Sequence, residues 1–532
     1  MRLLRSSAVV GGFTMVSRVL GLVRDMLLAA RLGAGPVADA FFVALQFPNL
    51  FRRIFAEGAF NAAFVPLYAG RLEEHGADEA GRFAREVLSV LTTSVLLIVV
   101  IAQLVMPWLM FALGPGFIED PDLFAFAVLL TQITMPYLLC MSIAAMLSGA
   151  LNSHERFAAA AAAPILLNIV LISLLTWGQG PYGTLAWLLC IGVTFAGVLQ
   201  VIWLVLAARR AGVKLGFAAP RLTPAVKRLL VLGVPGAAAA GVTHINQLVA
   251  SSIATLQEGA RSWIYYADRL YQLPLGVIGI AMGVALLPAL TKRLRAGAPE
   301  EANAGVNRAL EISFALTLPA AAALIVIAEL IVAGLFERGA FGPEDRVNTS
   351  IAVMLYAAGL PAFVMIKVFS PGFFAREDTV TPMKFAAISV AVNLVVGVVL
   401  FFGPMKFAGL ALATSLAGWL NAILLAGTLM RRGQYQIDRR LADRLPRILG
   451  AVAVMAACIW ALDQNARPGL EHVASTLLPG LLATPAALVV VVSAGVGVYG
   501  AAALALGALR PSELVAALRR PPPPAPASQA SD

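Results

Sequence analysis

Five arginines set what this sequence could do chemically. Arg18, Arg24, Arg52 and Arg53 lie inside the first two long apolar stretches, and Arg269 lies at the start of the eighth. At the centre of a membrane helix an arginine costs roughly 2.5 to 3.5 kcal/mol on insertion scales. Such groups persist where they face water, pair with acids or hold an anion. Their spacing groups them. Ser17, Arg24 and Arg31 are seven residues apart, close to two helical turns, and form one stripe; Arg18 and Asp25 form the adjacent one. Gly21 lies between the stripes and allows close approach of a neighbour or a ligand. In the second stretch Asp39, Gln46 and Arg53 repeat the seven-residue spacing. Asn49, Arg53 and Glu57 are four apart, so Arg53 and Glu57 can pair along one face, and Pro48 opens the backbone nearby. The structural alternative is that pairs such as Arg18 with Asp39, or Arg24 with Asp25, lock helices together. That accounts for one arginine better than for all. Five arginines face four nearby acids, Asp25, Asp39, Glu57 and Asp268, and Arg31 adds a further charge. The planar guanidinium fork takes phosphate oxygens two at a time, so the excess predicts a phosphate-bearing ligand.

Other chemistries find little support. His75, His154, His244 and His472 are scattered, and Cys140, Cys190 and Cys458 have no metal-ligand spacing. The cysteines read as buried, inert thiols and His244 as a hydrogen-bonded core residue. No phosphate-cradling Gly-Lys loop, GxSxG or HExxH occurs. The chain is therefore read as a non-enzyme that needs no metal or cofactor. Trp263, Tyr265 and Tyr266 read first as an interfacial aromatic belt, with a tyrosine stacking on a sugar as the second reading.

These residues need elements to hold them. Of 532 residues, 60% are hydrophobic and 13% charged, against about 25% charged in soluble domains. The pattern predicts an all-α polytopic membrane protein with about fourteen spans: 8–30, 37–60, 86–112, 124–150, 157–177, 183–208, 228–254, 265–290, 309–334, 348–372, 382–403, 407–430, 446–463 and 482–508. The basic start is read as part of an uncleaved first span, and the Pro-rich tail as disordered. The net charge of +10 fits cytoplasmic loops rather than nucleic-acid binding. Loops rich in Arg and Lys alternate with loops that are not, such as the acidic one at Glu119, Asp120 and Asp122. With fourteen spans, that alternation places both termini in the cytoplasm.

The chain also repeats itself. Val16 to Gly33 aligns without a gap on Val242 to Gly259, and the spacing from Pro136 to Asn168 recurs from Pro361 to Asn393. The shared offset of about 225 residues predicts two pseudo-symmetric six-helix lobes around a central cationic cavity, with two further helices. The expected divisions are 1–222, 223–440, 441–510 and a tail at 511–532. The polar load is asymmetric, because His244 and Ala250 stand where the first copy has Arg18 and Arg24.

Three strings carry a resemblance: SRVLGLVRD from Ser17, DAFFVALQFPNLFRRIFAEGAFNAAFVPLY from Asp39 and YYADRLYQLPLGVIGIAMG from Tyr265. They closely resemble the MurJ/MviN family, lipid II flippases of the multidrug/oligosaccharidyl-lipid/polysaccharide exporter superfamily. The resemblance implies transport of the undecaprenyl-pyrophosphate-linked disaccharide-pentapeptide across the bacterial cytoplasmic membrane by alternating access, for peptidoglycan synthesis. It implies that Arg18, Arg24, Arg52 and Arg269 match the family's cavity arginines and that Asp39 and Glu57 match its cavity acids. Arg53 is expected to bind substrate beside them, with Ser17, Asp25, Asn49 and Asp268 as supporting polar groups. Expected partners are lipid II, membrane lipids and proteins of cell-wall synthesis or division, with no nucleic acid. Two alternatives remain: export of another polyprenyl-pyrophosphate-linked glycan, or a cation-coupled drug exporter. The latter needs acids facing its cavity, and spans seven, eleven and twelve hold no Asp or Glu.

Overall fold

Apolar runs of this length leave backbone groups in lipid nothing to bond but each other, and helix is the outcome. The computed structural model describes residues 2–56, 59–216, 218–477 and 482–508, with side chains for all of these except 2–8, 47, 51–56, 59, 61–62, 234–243, 245, 277–285 and 477. The side chains of Arg52 and Arg53, and Glu57 altogether, therefore lie outside the described residues. Among those described there is no strand. The chain opens with α1 (Arg2–Leu32), α2 (Pro36–Ala56) and α3 (Ala59–Leu113). Next come α4 (Pro121–Thr134), α5 (Pro136–Ser153), α6 (Phe157–Trp177) and α7 (Tyr182–Arg210). The middle holds α8 (Pro224–Ala254), α9 (Ala260–Arg295), α10 (Pro299–Val326), α11 (Ala328–Phe336) and α12 (Pro343–Phe374). Last are α13 (Val380–Phe402), α14 (Phe407–Arg431), α15 (Arg439–Ala461), α16 (Arg467–Leu477) and α17 (Ala483–Ala505).

Ten helical segments among the described residues are long and apolar enough to cross a membrane. Outside that set, α1, α2, α8 and α9 occupy the places of the first, second, seventh and eighth expected spans. Three of these four, α1, α2 and α9, carry the arginines singled out in the sequence. Several boundaries differ from expectation: the ninth span, 309–334, is divided between α10 and α11, and two other differences have a clear cause. The loop expected between the second and third spans is helical, because α3 starts at Ala59 and turns at Gly76, whose φ of 80° suits a residue without a Cβ. Phe64 and Tyr68 are buried there and stack at 5.5 Å, and that apolar face keeps the segment helical. The fourth span is two helices, since Pro136 has no N–H to continue α4.

The chain forms two compact units. The first comprises Met1–Gln272, Val332–Tyr356 and Met383–Asn421; the second comprises Leu273–Ile331, Ala357–Pro382 and Ala422–Asp532. In the first, α1 packs on α6, α3 packs on α5 and α8, and α2 packs on α4, α5 and α8. Val95, Val99, Met106, Met135 and Leu138 form one of its apolar clusters. In the second, α15 packs on α10 and α17 through Ala315, Ile448, Ala451 and Ala503. A buried carboxylate fixes that packing. Glu311 of α10 accepts from Arg308 at 2.6 Å, from Arg440 at 3.2 Å and from the buried Arg444. Of the helices expected as the two extra spans, α15 is therefore joined to α10 by ion pairs as well as by apolar contact, and α17 by the Tyr499 hydroxyl, which donates to the Ala315 carbonyl at 2.6 Å.

Candidate functional site: an arginine cluster on one carboxylate

The expected site residues that the structure describes fall in the first unit, and Asp25 is their centre. It sits on α1 with its side chain 3% exposed. Arg24 reaches it through Nε at 3.0 Å and Nη2 at 2.7 Å, both to Oδ1. Arg269 comes from α9, with Nε 3.7 Å from Oδ2. Tyr265, one turn earlier on α9, donates its hydroxyl to Oδ1 at 3.3 Å and accepts from Arg269 Nη2 at 3.3 Å. One carboxylate thus serves two guanidiniums. Arg24 and Arg269 are 14% and 34% exposed, so both keep some access to solvent. Arg18, half-buried on the neighbouring stripe of α1, has no ion-pair partner among the described residues. The cluster is therefore held together and still net cationic.

Arg24 has a further partner. Its Nη1 donates to Asn168 Oδ1 at 2.9 Å, and Asn168 Nδ2 donates to the Ser17 carbonyl at 2.9 Å. Gly21 faces the same amide: a Cβ there would lie 3.9 Å from Asn168 Nδ2, an ordinary contact. The close approach expected at Gly21 is thus to α6. Asp268 accepts from Gln272 on its own helix. Asn49 is half-buried on α2.

Asp39 plays a different part from the one expected. It is 1% exposed and does not pair with Arg18. Oδ2 accepts from Gly259 N at 2.8 Å, and Oδ1 accepts from Ser262 N at 2.8 Å and from the Ser262 hydroxyl. These N–H groups open α9, where the residue before the helix is a glycine with no side chain to cap it. Asp39 supplies the cap from α2. It orients the helix that carries Tyr265 and Arg269.

The aromatic residues are also placed differently. Tyr265 stacks on Phe42 with centroids 4.0 Å apart, and Arg269 lies over its ring at 4.8 Å. Trp263 donates Nε1 to Asp345 Oδ1 at 2.9 Å, and Tyr266 donates to the Gly33 carbonyl at 3.1 Å. All three are internal, so the belt reading fails: their polar tips are satisfied by protein. With Phe42 on the ring and Arg269 over it, Tyr265 has no face for a sugar in this arrangement.

Two residues escaped sequence reading. Asn168 left only the repeat spacing as a trace. Arg261, one turn before Tyr265, is 9% exposed, with Nη2 3.5 Å from the Phe42 carbonyl and a buried Nε that has no partner. Its position on the stripe Arg261, Tyr265, Arg269 was the available signal. Among the described residues no group of three or more His, Cys, Asp or Glu could hold a metal ion.

The family model described as "Lipid II flippase MurJ" matches residues 28–474. A probable lipid II flippase MurJ of Rhizobium meliloti (strain 1021) is 49% identical over 511 residues, covering 93% of this chain and 94% of the relative. One from Rhizobium tropici is 47% identical over 483 residues, covering 90% of each. A solved structure titled "Lipid II flippase MurJ, inward closed conformation" matches with a TM-score of 0.77 at 24% identity, covering 95% of this chain and 99% of that one. A multidrug resistance MATE family transporter in an inward-facing conformation shares the fold with a TM-score of 0.60 at 16% identity. This chain is a multi-pass membrane protein of the lipid II flippase MurJ family.

Proposed function

We propose that this chain carries lipid II from the cytoplasmic to the periplasmic leaflet of the bacterial inner membrane by alternating access. Its relatives are named probable lipid II flippases, which supports the substrate and the flipping. The observation that carries the reading is the pair Arg24 and Arg269 sharing the single carboxylate of Asp25. A guanidinium has five N–H groups, and Arg24 commits three of them, to Asp25 and Asn168. One remains on each terminal nitrogen, and two such donors match two oxygens of a pyrophosphate. Arg18, Arg52 and Arg53 complete the binding set in this reading, and Asp25 is the internal anion with which the ligand competes for the two guanidiniums.

The charges also suggest the cycle. Arg24 belongs to the proposed first lobe, 1–222, and Arg269 to the second, 223–440. An anion bound between them offsets their repulsion and permits closure; after its departure Asp25 reclaims both guanidiniums and the empty site resets. Moving one elementary charge through the full field is worth about 2.3 kcal/mol per 100 mV, so membrane potential can drive the reset. In this reading the chain has fourteen spans and both termini in the cytoplasm, residues 441–510 add two spans that guide the lipid tail, and 511–532 form a tail. It performs no covalent chemistry.

The test is binding selectivity. Lipid II in nanodiscs should bind the purified protein, and the affinity should fall steeply when the pyrophosphate is replaced by a neutral linkage. Equal affinity for both lipids would overturn the reading.

A further inference from the structure

We propose that Asn168 is a positioning residue that holds the guanidinium of Arg24 in its ligand-binding orientation; this rests on the function proposed above. Asn168 is 4% exposed on α6, a helix otherwise made almost wholly of Ala, Leu, Ile and Val. An amide at that depth is costly unless both ends are bonded. Here both are, and both bonds go to α1. Nδ2 takes the Ser17 carbonyl and Oδ1 takes Arg24 Nη1, each at 2.9 Å. Ser17 and Arg24 are successive members of one stripe, so the amide spans nearly two turns of the helix that bears the arginine.

The consequence is orientation. Asp25 Oδ1 alone fixes one edge of the Arg24 guanidinium, through Nε and Nη2. A single acceptor atom leaves the plane free to tilt about it. Asn168 supplies a second fixed point on Nη1 and sets which way the uncommitted N–H groups face. Without it Arg24 keeps its charge and its ion pair and loses its aim. Asn168 contributes no charge of its own, so its effect on an anionic ligand must pass through Arg24.

That dependence is measurable. Asn168→Leu keeps the side-chain volume and removes both bonds; Asn168→Ala serves if the leucine variant does not fold. Lipid II affinity is measured in nanodiscs for the variant, for Arg24→Ala and for the double variant. The expected loss from Asn168→Leu is about tenfold in otherwise unaltered protein, the scale of one hydrogen bond to a charged group. In the Arg24→Ala background, where Arg18 and Arg269 still bind, the same change should cost less than twofold. A residue that only braces α1 against α6 would cost the same in both backgrounds, and that result would overturn the proposal, as would unchanged affinity in the single variant. Unaltered protein that does not bind lipid II would instead sink the function on which the proposal rests.

Discussion

Asp25→Asn should make the protein bind its ligand more tightly and turn over more slowly. The asparagine keeps an oxygen for Arg24 and removes the carboxylate charge that Arg24 and Arg269 share. A phosphate oxygen on the uncommitted N–H groups of Arg24 would sit roughly 6 Å from the Asp25 carboxylate, across the guanidinium. Two like charges at that distance repel by about 2.8 kcal/mol at an effective dielectric constant of about 20. Arg269 is 34% exposed, so solvent screens the site. Halving the figure for that screening leaves about 1.4 kcal/mol, or about tenfold in Kd. Release should slow by a similar factor, because the carboxylate that reclaims the arginines is gone. Lipid II titration in nanodiscs gives the first quantity, and flipping rates in proteoliposomes give the second. Unchanged or weaker binding by an Asp25→Asn protein that melts like the wild type would refute the role of Asp25 as the ligand's stand-in.

Four further outcomes follow from the geometry. Asp39→Ala removes the cap that this side chain places on α9 and three accepted hydrogen bonds, and should cost about 2 kcal/mol or more in detergent unfolding; a cost under 0.5 kcal/mol would contradict the capping role. Glu311→Gln leaves Arg308, Arg440 and Arg444 without their shared carboxylate and should destabilise the second unit by about 3 to 5 kcal/mol, read as faster proteolysis between α10 and α15. Asp378, in the loop between α12 and α13, is held down to about 2 first by its hydrogen bond from Arg432 and then by Thr381. Its folded value lies below the ordinary carboxylate range near 4, so the stability it contributes is present above that range and is lost as pH falls toward about 2. Protection of the Thr381 amide against hydrogen exchange, relative to its intrinsic rate at each pH, should therefore fall between pH 4 and pH 2, and Asp378→Asn should remove the acid dependence. Gly21→Ala meets only an ordinary contact at 3.9 Å and should leave both folding and transport intact; loss of either would show that α1 and α6 must approach more closely.

The arginine cluster was legible because charge inside an apolar run has few explanations. Arg24, Asp25 and Arg269 needed only helical spacing and the cost of burial to be singled out. Asn168 was not, since one amide in an apolar helix has no periodic signature and its partners lie 144 and 151 residues away. Asp39 was legible as an important acid but not as a cap, because its targets are backbone groups 220 and 223 residues on. The missing side chain at Gly259 was the local hint, as the first turn of α9 must find an acceptor somewhere. Tyr265 was misread for a physical reason: a ring with one polar tip suits a membrane interface and a buried cluster equally well. Helix positions were read well where apolar runs were uninterrupted, as in α6 and α7. They were read less well where a buried aromatic face carried a helix through a charged segment, as at Phe64 and Tyr68.

The measurement that bears most directly on the function is translocation of fluorescent lipid II in proteoliposomes under an imposed membrane potential, for the wild type beside Arg24→Ala and Arg269→Ala. Transport by the wild type alone, with both variants folded and inserted, is the expected result. Normal transport by either variant would contradict the claim that these two guanidiniums hold the pyrophosphate.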